Sequence, residues 1–355
     1  MAMSSETVVL PRPRKQSLND VRAVVPESCY QRSSKRAAWA VLQASVLYVA
    51  PLVGLALTDL WWAVLPLWLL AGLGVAGLFV IGHDASHGAL TESRRANRLI
   101  AQVCMAPSAH VEAAWDLGHN RVHHGYTTRQ GFDFVWHPMT VEEYRAAGRV
   151  VRLRHRLEWS WLGSGAYFLR AVWWDKMWRF SAPGKRHDAI VRDKQTLGSA
   201  LALLAGAAVV LGALTGGWLG ALWVPFKLIV VPFLVFTQVI GWTVYVHHVA
   251  PEIRWWTRRD WSQYNGQMES TTIMRFPRLI NRLWFHNIFI HVPHHVDARI
   301  PFHQLPAAAA AISEAYPGTV KSSRFSVAQY LRATRACKLY DFDAASWMPY
   351  SAARP

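Results

Sequence analysis

The chain has 355 residues, of which 52% are hydrophobic and only 17% are charged, and its formal net charge is +16. This balance is unusual for soluble domains and is typical of an integral membrane protein. The positive charge does not indicate a nucleic-acid partner, because all 38 lysines and arginines except Lys227 lie in residues 1–36, 84–194 and 249–355, outside the apolar runs. Anionic lipid headgroups are the expected counter-charges.

The chain begins with a polar, basic segment without the apolar stretch of a cleaved signal peptide. We expect residues 1–36 to form a cytoplasmic N-terminal tail. A membrane domain is predicted over residues 37–306, and a helical cytoplasmic region over residues 307–355.

Four apolar runs are each close to the length of about 20 residues that crosses the hydrocarbon core. They cover residues 37–57, 61–82, 196–216 and 225–246. Short links join them in pairs, so the prediction is an all-α integral membrane protein with four transmembrane helices in two hairpins and a cytoplasmic helical cap.

The orientation follows from the charges. Neither hairpin link contains Lys or Arg, and by the positive-inside rule both termini and the long middle segment face the cytoplasm. Lys227, near the outer end of the fourth run, is expected to extend toward the interface. We expect a multi-pass protein of a bacterial inner membrane.

The sequence contains three histidine boxes. HDASH (residues 83–87) follows the second apolar run, HNRVHH (119–124) lies in the basic middle segment, and HVPHH (291–295) precedes the C-terminal region at residues 307–355. On an α-helix, histidines four residues apart share a face, and neutral imidazole is the commonest metal ligand. Eight such ligands are too many for one ion and predict two ions of iron, copper or zinc. The candidate ligands are His83, His87, His119, His123, His124, His291, His294 and His295.

A ninth candidate comes from the pair His247 and His248, where the fourth run ends. Adjacent rings diverge by about 100° on a helix, so one of the two is expected to coordinate. The three cysteines, Cys29, Cys104 and Cys337, have no paired spacing, which excludes a thiolate zinc site.

Carboxylates near the boxes are candidates to hydrogen-bond the second nitrogen of ligating imidazoles and so fix the ring orientation. The alternative for each is a solvated surface acid. The candidates are Asp84, Glu112, Asp116, Asp133 and Asp297.

In their order and position, the three boxes resemble those of the membrane-bound fatty acid desaturase superfamily, over roughly residues 37–306. The segments YVHHVAPEIRWW and HVPHHVDARIPFHQLP are similar to the acyl-lipid Δ12 or ω-6 branch. His248 matches the extra ligand of that branch, and His247 stands in place of a glutamine. Thr127-Thr128 stands where many relatives have Thr-Asn.

The resemblance implies an enzyme that uses two irons and O2 to desaturate an acyl chain carried on a lipid, CoA or carrier protein. Electrons would come from an external ferredoxin, rubredoxin or cytochrome b5, since the sequence shows no nucleotide-binding or iron–sulfur motif. It also implies a partition of the ligands. One iron would take His83, His124, His248, His291 and His295, and the other His87, His119, His123 and His294.

Other oxidations on the same site remain open: acyl hydroxylation, acetylenation, decarboxylation to a terminal alkene, and carotenoid ketolation or hydroxylation. A membrane metal transporter is a distant alternative. Its histidines should line a path through the bilayer, whereas here they gather at one side and the apolar runs are nearly free of ionisable groups.

Overall fold

The computed structural model describes residues 16–354 and is mostly helical. Short π-helical segments interrupt the helices at Asp116–His123, Phe168–Trp178, Phe226–Val230 and Asn265–Glu269. The α-helices are α1 Leu18–Ala23, α2 Ser34–Leu57, α3 Trp61–Ser86, α4 Arg94–Met105, α5 Glu112–Trp115, α6 His124–Tyr126, α7 Val141–Ala146, α8 Arg149–Glu158, α9 Ser164–Tyr167, α10 Lys185–Pro225, α11 Val231–His248, α12 Arg278–Leu283, α13 His291–Val296, α14 Leu305–Ala315 and α15 Val327–Ala336.

Three helical stretches in the described residues are long and apolar enough to cross a membrane: Ser34–Leu57, Trp61–Ser86 and Lys185–His248. The first two correspond to the predicted runs at residues 37–57 and 61–82. The third contains both of the later runs and is far longer than one crossing needs.

This third stretch reverses direction at two glycines. Gly216 and Gly217 have non-helical backbone angles, and the φ of Gly217 is +61°, a conformation that side chains disfavour. On either side of the turn, a Cβ built on Gly212 would lie 2.0 Å from the carbonyl oxygen of Gly220. The chain therefore folds back on itself here, and the two arms approach more closely than any side chain allows.

The two helical pairs are linked at the end opposite to His83. Lys227 is buried, at 3% exposure, and its Nζ lies 2.6 Å from Oδ1 of Asp59 in the link after α2. The indole of Trp223 donates to the same carboxylate oxygen at 2.7 Å. The amine of Lys227 thus reaches the outer link, where the exposed carboxylate of Asp59 and the carbonyl of Thr58 contact it, in the direction that the sequence predicted.

The segment expected to be a tail is structured where it is described. α1 starts with a capping box, in which Ser17 accepts from the backbone N–H of Asp20 and Asp20 accepts from that of Ser17. Leu18 and Val21 are buried in a cluster with Val292 of the third histidine box. Residues 16–36 therefore support the histidine-bearing region, and residues 1–15 lie outside the described part of the chain.

Two small sheets depart from the all-α prediction. Strand β1, Thr272–Arg275, pairs in parallel with β2, Lys321–Arg324, while β3, Leu339–Asp341, pairs antiparallel with β4, Ser346–Met348. Strands of three or four residues are too short for a period-two pattern to be visible in the sequence. β1 matters for function because it brings Thr272 beside the histidines.

A candidate dinuclear metal centre built from histidines

All nine candidate histidines come together, and eight of them form two groups. Within each group, one potential ligand atom per residue lies within 4.8 Å of the others. The first group consists of His83, His87, His119, His124 and His294, and the second of His123, His248 and His295. His291 lies beside the second group, with its Nε2 3.0 Å from Nε2 of His295.

Four structural elements supply these rings. His83 lies in the last turn of α3, His87 caps the same helix, and His248 is the last residue of α11. The second box occupies the π-helical segment Asp116–His123 and the residue after it, and the third box forms α13. Seven of the nine rings are buried, and the other two, His87 and His124, are partly buried, so the rings face inward rather than toward solvent.

The grouping differs from the partition that the resemblance implied. His83 and His124 belong with His87, whereas His123 belongs with His248. The partition was taken from the resemblance, while α-helical spacing separately predicted that His119 and His123, four residues apart, share a face. In the structure the backbone N–H of His124 bonds to the carbonyl of His119, five residues earlier, so the wider π turn places these two rings together.

The ring nitrogens of the first group are unusually close. Nε2 of His119 lies 2.9 Å from Nε2 of His83 and 3.2 Å from Nε2 of His124, which lies 3.2 Å from Nε2 of His294. Neighbouring nitrogens at about 2.1 Å from one ion lie about 3 Å apart when they are at right angles. The donor set therefore fits a metal ion held through imidazole nitrogen, with no thiolate involved. The three cysteines are buried and form no disulfide among the described residues, and none belongs to a histidine group.

The environment favours the neutral, metal-binding form of the rings. Burial, followed by the charges of the neighbouring rings, lowers the pKa of His119, His124, His294 and His295 well below the ordinary value. Buried neutral imidazoles leave their Nε2 lone pairs available to an ion.

Two of the five candidate acids contact ring nitrogens. Asp84 accepts from Nδ1 of His83 at 2.9 Å, and Asp133 accepts from Nδ1 of His123 at 3.0 Å. Asp133 also accepts from the backbone N–H groups of Thr128 and Val135. Each carboxylate thus directs the opposite nitrogen, Nε2, toward the centre of its group.

The other three acids contact different partners. Glu112 lies 3.6 Å from Nε of Arg98, and Asp116 pairs with Arg121. Asp297 forms a bidentate pair with Arg299. Asp116 is partly exposed and is close to the alternative of a solvated surface acid, whereas Glu112 and Asp297 are largely buried and pair with arginines.

Gln267 is a site residue that sequence reasoning missed. Its Oε1 accepts from Nδ1 of His295 at 2.7 Å, and its Nε2 donates to the carbonyl of His124. Thr127 donates to the carbonyl of His123 at 2.7 Å and lies 3.0 Å from Oε1 of Gln267. Gln267 lies 24 residues before the third box, and no spacing or motif marks it.

His247 and His248 have separate environments. His248 is in the second group, and its Nδ1 donates to the carbonyl of Ser270 at 3.3 Å. His247 lies outside both groups, where Nδ1 contacts Oγ1 of Thr272 at 3.0 Å and the ring stacks on His291. Adjacent positions on a helix send the two rings in different directions, as the sequence predicted.

Comparison with known proteins agrees with this geometry. The profile of the family described as fatty acid desaturase matches residues 60–325. An sn-1 oleoyl-lipid 12-desaturase of Synechocystis is 30% identical over 91% of this chain and 89% of its own length. A chloroplastic omega-6 fatty acid desaturase of Glycine max is 25% identical over 92% of this chain and 74% of its own.

The name of a third relative includes an electron donor, ferredoxin. The sn-1 acyl-lipid omega-3 desaturase (ferredoxin) of a Nostoc species is 27% identical over 87% of this chain and 82% of its own length. The profile match covers well over half of the chain and includes all three boxes and His248. The chain belongs to the fatty acid desaturase family and is an oxidoreductase that desaturates fatty acyl chains.

Proposed function

We propose that this desaturase introduces a double bond into an acyl chain while that chain is part of a membrane glycerolipid. The observation that carries the proposal is the pair of histidine groups, in which nine rings from three boxes and α11 converge without a thiolate. The names of the most similar relatives, which act on oleoyl or acyl lipids, support a lipid-linked substrate.

We assign the two histidine groups to two iron ions. The first would be held by His83, His87, His119, His124 and His294, and the second by His123, His248, His291 and His295. Iron bound in these groups would supply, with O2, the oxidising power that no side chain has for removing hydrogen from a methylene.

The protein's own contribution is orientation and the exclusion of water. Asp84, Asp133 and Gln267 each hold the Nδ1 side of one ring, so that Nε2 points inward. The ring of His119 stacks on Trp115 at 4.3 Å, and Trp115 packs against Phe79. This apolar wall keeps water away from the place where a reactive oxidant must meet only the acyl chain.

The proposal includes four membrane spans in two hairpins, with both termini in the cytoplasm of a bacterial inner membrane. The turn at Gly216–Gly217 and the Lys227–Asp59 pair at the opposite end from His83 support this topology. A reporter fused after residue 355 should be active on the cytoplasmic side, and one inserted at Gly217 on the other side.

The electron donor is proposed to be a small acidic protein such as ferredoxin, with rubredoxin and cytochrome b5 as alternatives. The cationic surface outside the spans favours an acidic partner by electrostatic complementarity. Reduction by ferredoxin should slow as salt is raised, and charge-reversal of surface arginines should remove that dependence. Unchanged salt dependence in such variants would contradict this assignment.

The test of function is expression in a bacterial host that makes no polyunsaturated lipids, together with ferredoxin and its reductase. We expect new double bonds in glycerolipid acyl chains, two irons per purified chain, and loss of both the double bonds and iron in His123→Ala. His187→Ala is the matched control, because His187 is exposed and far from the boxes in sequence. Hydroxylated, acetylenic or shortened products with two irons would instead indicate one of the other oxidations, and unaltered lipids with an iron-free protein would contradict the proposal.

A further inference from the structure

A large groove opens where α2 begins, beside the segment that precedes the third histidine box. Its volume is about 1520 Å³, and it is lined by residues of α2, β1, α12 and the chain that leads to α13. Five of the lining side chains are basic, and no acidic side chain among the described residues lines the groove. The basic residues are Lys35, Arg36, Arg275, Arg278 and Arg282.

The groove lies at the level where the lipid-facing surface begins. Lys35 and Arg36 are in the first turn of α2. Trp39, one turn later, is 65% exposed, and Leu42 and Val46 beyond it are each 55% exposed. Exposed aliphatic side chains on a spanning helix face acyl chains, and tryptophan marks the headgroup boundary. The arginines of the groove are therefore at the depth of lipid headgroups.

The wall of the groove contains buried polar groups without partners. His286 is 3% exposed and Asn281 is 7% exposed. Nε2 of His286 and Oδ1 of Asn281 have no hydrogen-bond partner among the described residues. Buried polar atoms of this kind are costly unless something binds them.

The backbone at the groove has an uncommon conformation. His286 and Asn287 are consecutive residues with φ values of +42° and +62°, a region that few residues other than glycine adopt, although histidine and asparagine tolerate it best. Nδ2 of Asn287 donates to the carbonyl of Phe302, which ties this turn to the segment after the third box. Sparsely populated backbone conformations of this kind occur where the surroundings fix them, often at binding sites.

The inner wall of the groove is continuous with the metal centre. Ile273 and Ile290 both line the groove and face each other across a backbone bridge. The neighbour of Ile273 is Thr272, which bonds His247, and the neighbour of Ile290 is the candidate ligand His291. The lining of the groove therefore extends from the arginines to residues that are chain neighbours of the histidine site.

We propose that this basic groove binds the phosphate of a membrane glycerophospholipid whose acyl chain is the substrate. The inference rests on the proposed acyl-lipid desaturation and adds the headgroup that is recognised. Guanidinium groups bind phosphate oxygens with charge-assisted, paired hydrogen bonds, and a groove without a carboxylate does not repel the anion. A neutral sugar headgroup lacks the charge that these side chains match.

The test uses the full chain, purified in detergent and delipidated, and measures binding of dioleoyl phosphatidylglycerol by native mass spectrometry. We compare the wild type with the double variant Arg278→Gln/Arg282→Gln. The control is Arg95→Gln/Arg259→Gln, which removes the same charge from exposed arginines outside the groove. The groove variant should bind phosphatidylglycerol about tenfold more weakly or worse, and the control should bind like the wild type.

Further arms identify the ligand. Arg278→Lys/Arg282→Lys should restore part of the binding, because it keeps the charge. A neutral galactosyl diacylglycerol should bind weakly and equally to all variants. Equal phosphatidylglycerol binding by wild type and groove variant, or equally tight binding of the galactolipid, would overturn the proposal. Competition by glycerol 3-phosphate as strong as that by the phospholipid would also overturn it, by assigning the groove to free anions.

Activity is read separately. With phosphatidylglycerol as substrate, the groove variant should have a higher KM than the wild type and nearly the same kcat. Its iron content and its thermal unfolding midpoint should equal those of the control variant. A groove variant with lower kcat and unchanged KM would contradict substrate recognition. A wild type that binds the phospholipid but never oxidises it would refute the proposed function while leaving the binding result intact.

Discussion

Nδ1 of His295 donates to Oε1 of Gln267 at 2.7 Å, and the amide nitrogen of the same glutamine donates to the carbonyl of His124. One side chain thus orients a ring of the second histidine group and fixes the backbone beside a ring of the first. Gln267 is 2% exposed, so water cannot replace either bond.

Replacing Gln267 with leucine should therefore reduce iron binding. Loss of a group that orients a ligating histidine typically costs about tenfold to a hundredfold in metal affinity or activity. Iron per chain, measured by plasma mass spectrometry, should fall together with the double bonds formed in cells. The control Gln304→Leu removes a glutamine that bonds only the carbonyl of Ser28 near the surface, and iron retention in Gln267→Leu equal to that control would contradict the assigned role.

The two carboxylates that contact rings should affect different groups. Asp84→Asn weakens the orientation of His83 in the first group, and Asp133→Asn that of His123 in the second. Each substitution should lower iron content toward one per chain, with Asp133→Asn also destabilising the protein because Asp133 accepts from two backbone N–H groups. Asp116→Asn, whose carboxylate contacts Asn120 and Arg121, should keep both irons. If all three variants lose iron alike, the separate roles are refuted.

Glu112 provides a pH prediction. Burial raises its pKa to about 7, with Asp193 and Asp116 acting in the same direction and Arg98 opposing them. Because the pKa in the folded state exceeds the ordinary value of 4.5, the folded chain holds this proton more tightly than the unfolded chain does. The stability linked to this group is present in full below pH 4.5 and is lost as the pH rises through about 7.

The variant Glu112→Gln, which stays neutral, should unfold at nearly the same temperature as the wild type at pH 5 and at a higher temperature at pH 8. Thermal unfolding of the purified protein across this range measures the difference. Glu142→Gln, at an exposed position of α7, should show the same dependence of the unfolding temperature on pH as the wild type. If the unfolding temperature of Glu112→Gln also depends on pH as that of the wild type does, the pKa of the Glu112 carboxyl group is not raised by folding.

Thr128 is held in a left-handed backbone conformation, with φ of +54°, and is fully buried. A β-branched residue is disfavoured there, whereas asparagine adopts this conformation readily. Thr128→Asn should therefore stabilise the chain by about 0.5–1 kcal/mol, measured as a higher unfolding temperature with iron content unchanged.

The same substitution at the neighbouring residue, Thr127→Asn, should have the opposite effect on stability. Thr127 has φ of −46°, and its hydroxyl donates to the carbonyl of His123. The change should lower stability and iron content together. Equal effects at the two positions would refute the backbone argument for Thr128.

Sequence alone predicted which histidines meet and where the chain is apolar, because ligand chemistry and hydrocarbon thickness leave direct traces in residue type and spacing. It also placed Asp84 and Asp133 among the acids that contact rings. It did not separate them from Asp116, since a carboxylate near a box in sequence can point to a ring or to an arginine. Gln267 was not predicted, because it reaches His295 through folding of a distant segment.

The site is also sensitive to residue count, which follows from the π-helical turn at Asp116–His123. Such a turn holds one more residue than an α-helical turn, and here that extra residue brings His124, rather than His123, into the histidine group of His119. Deleting Arg121 would keep every histidine in the sequence and yet leave the rings of His119 and His124 only four residues apart, the spacing of an ordinary α-helical turn. A comparison that counts histidines without the spacing between them would accept such a chain, although it would lack the π turn that brings these two rings together.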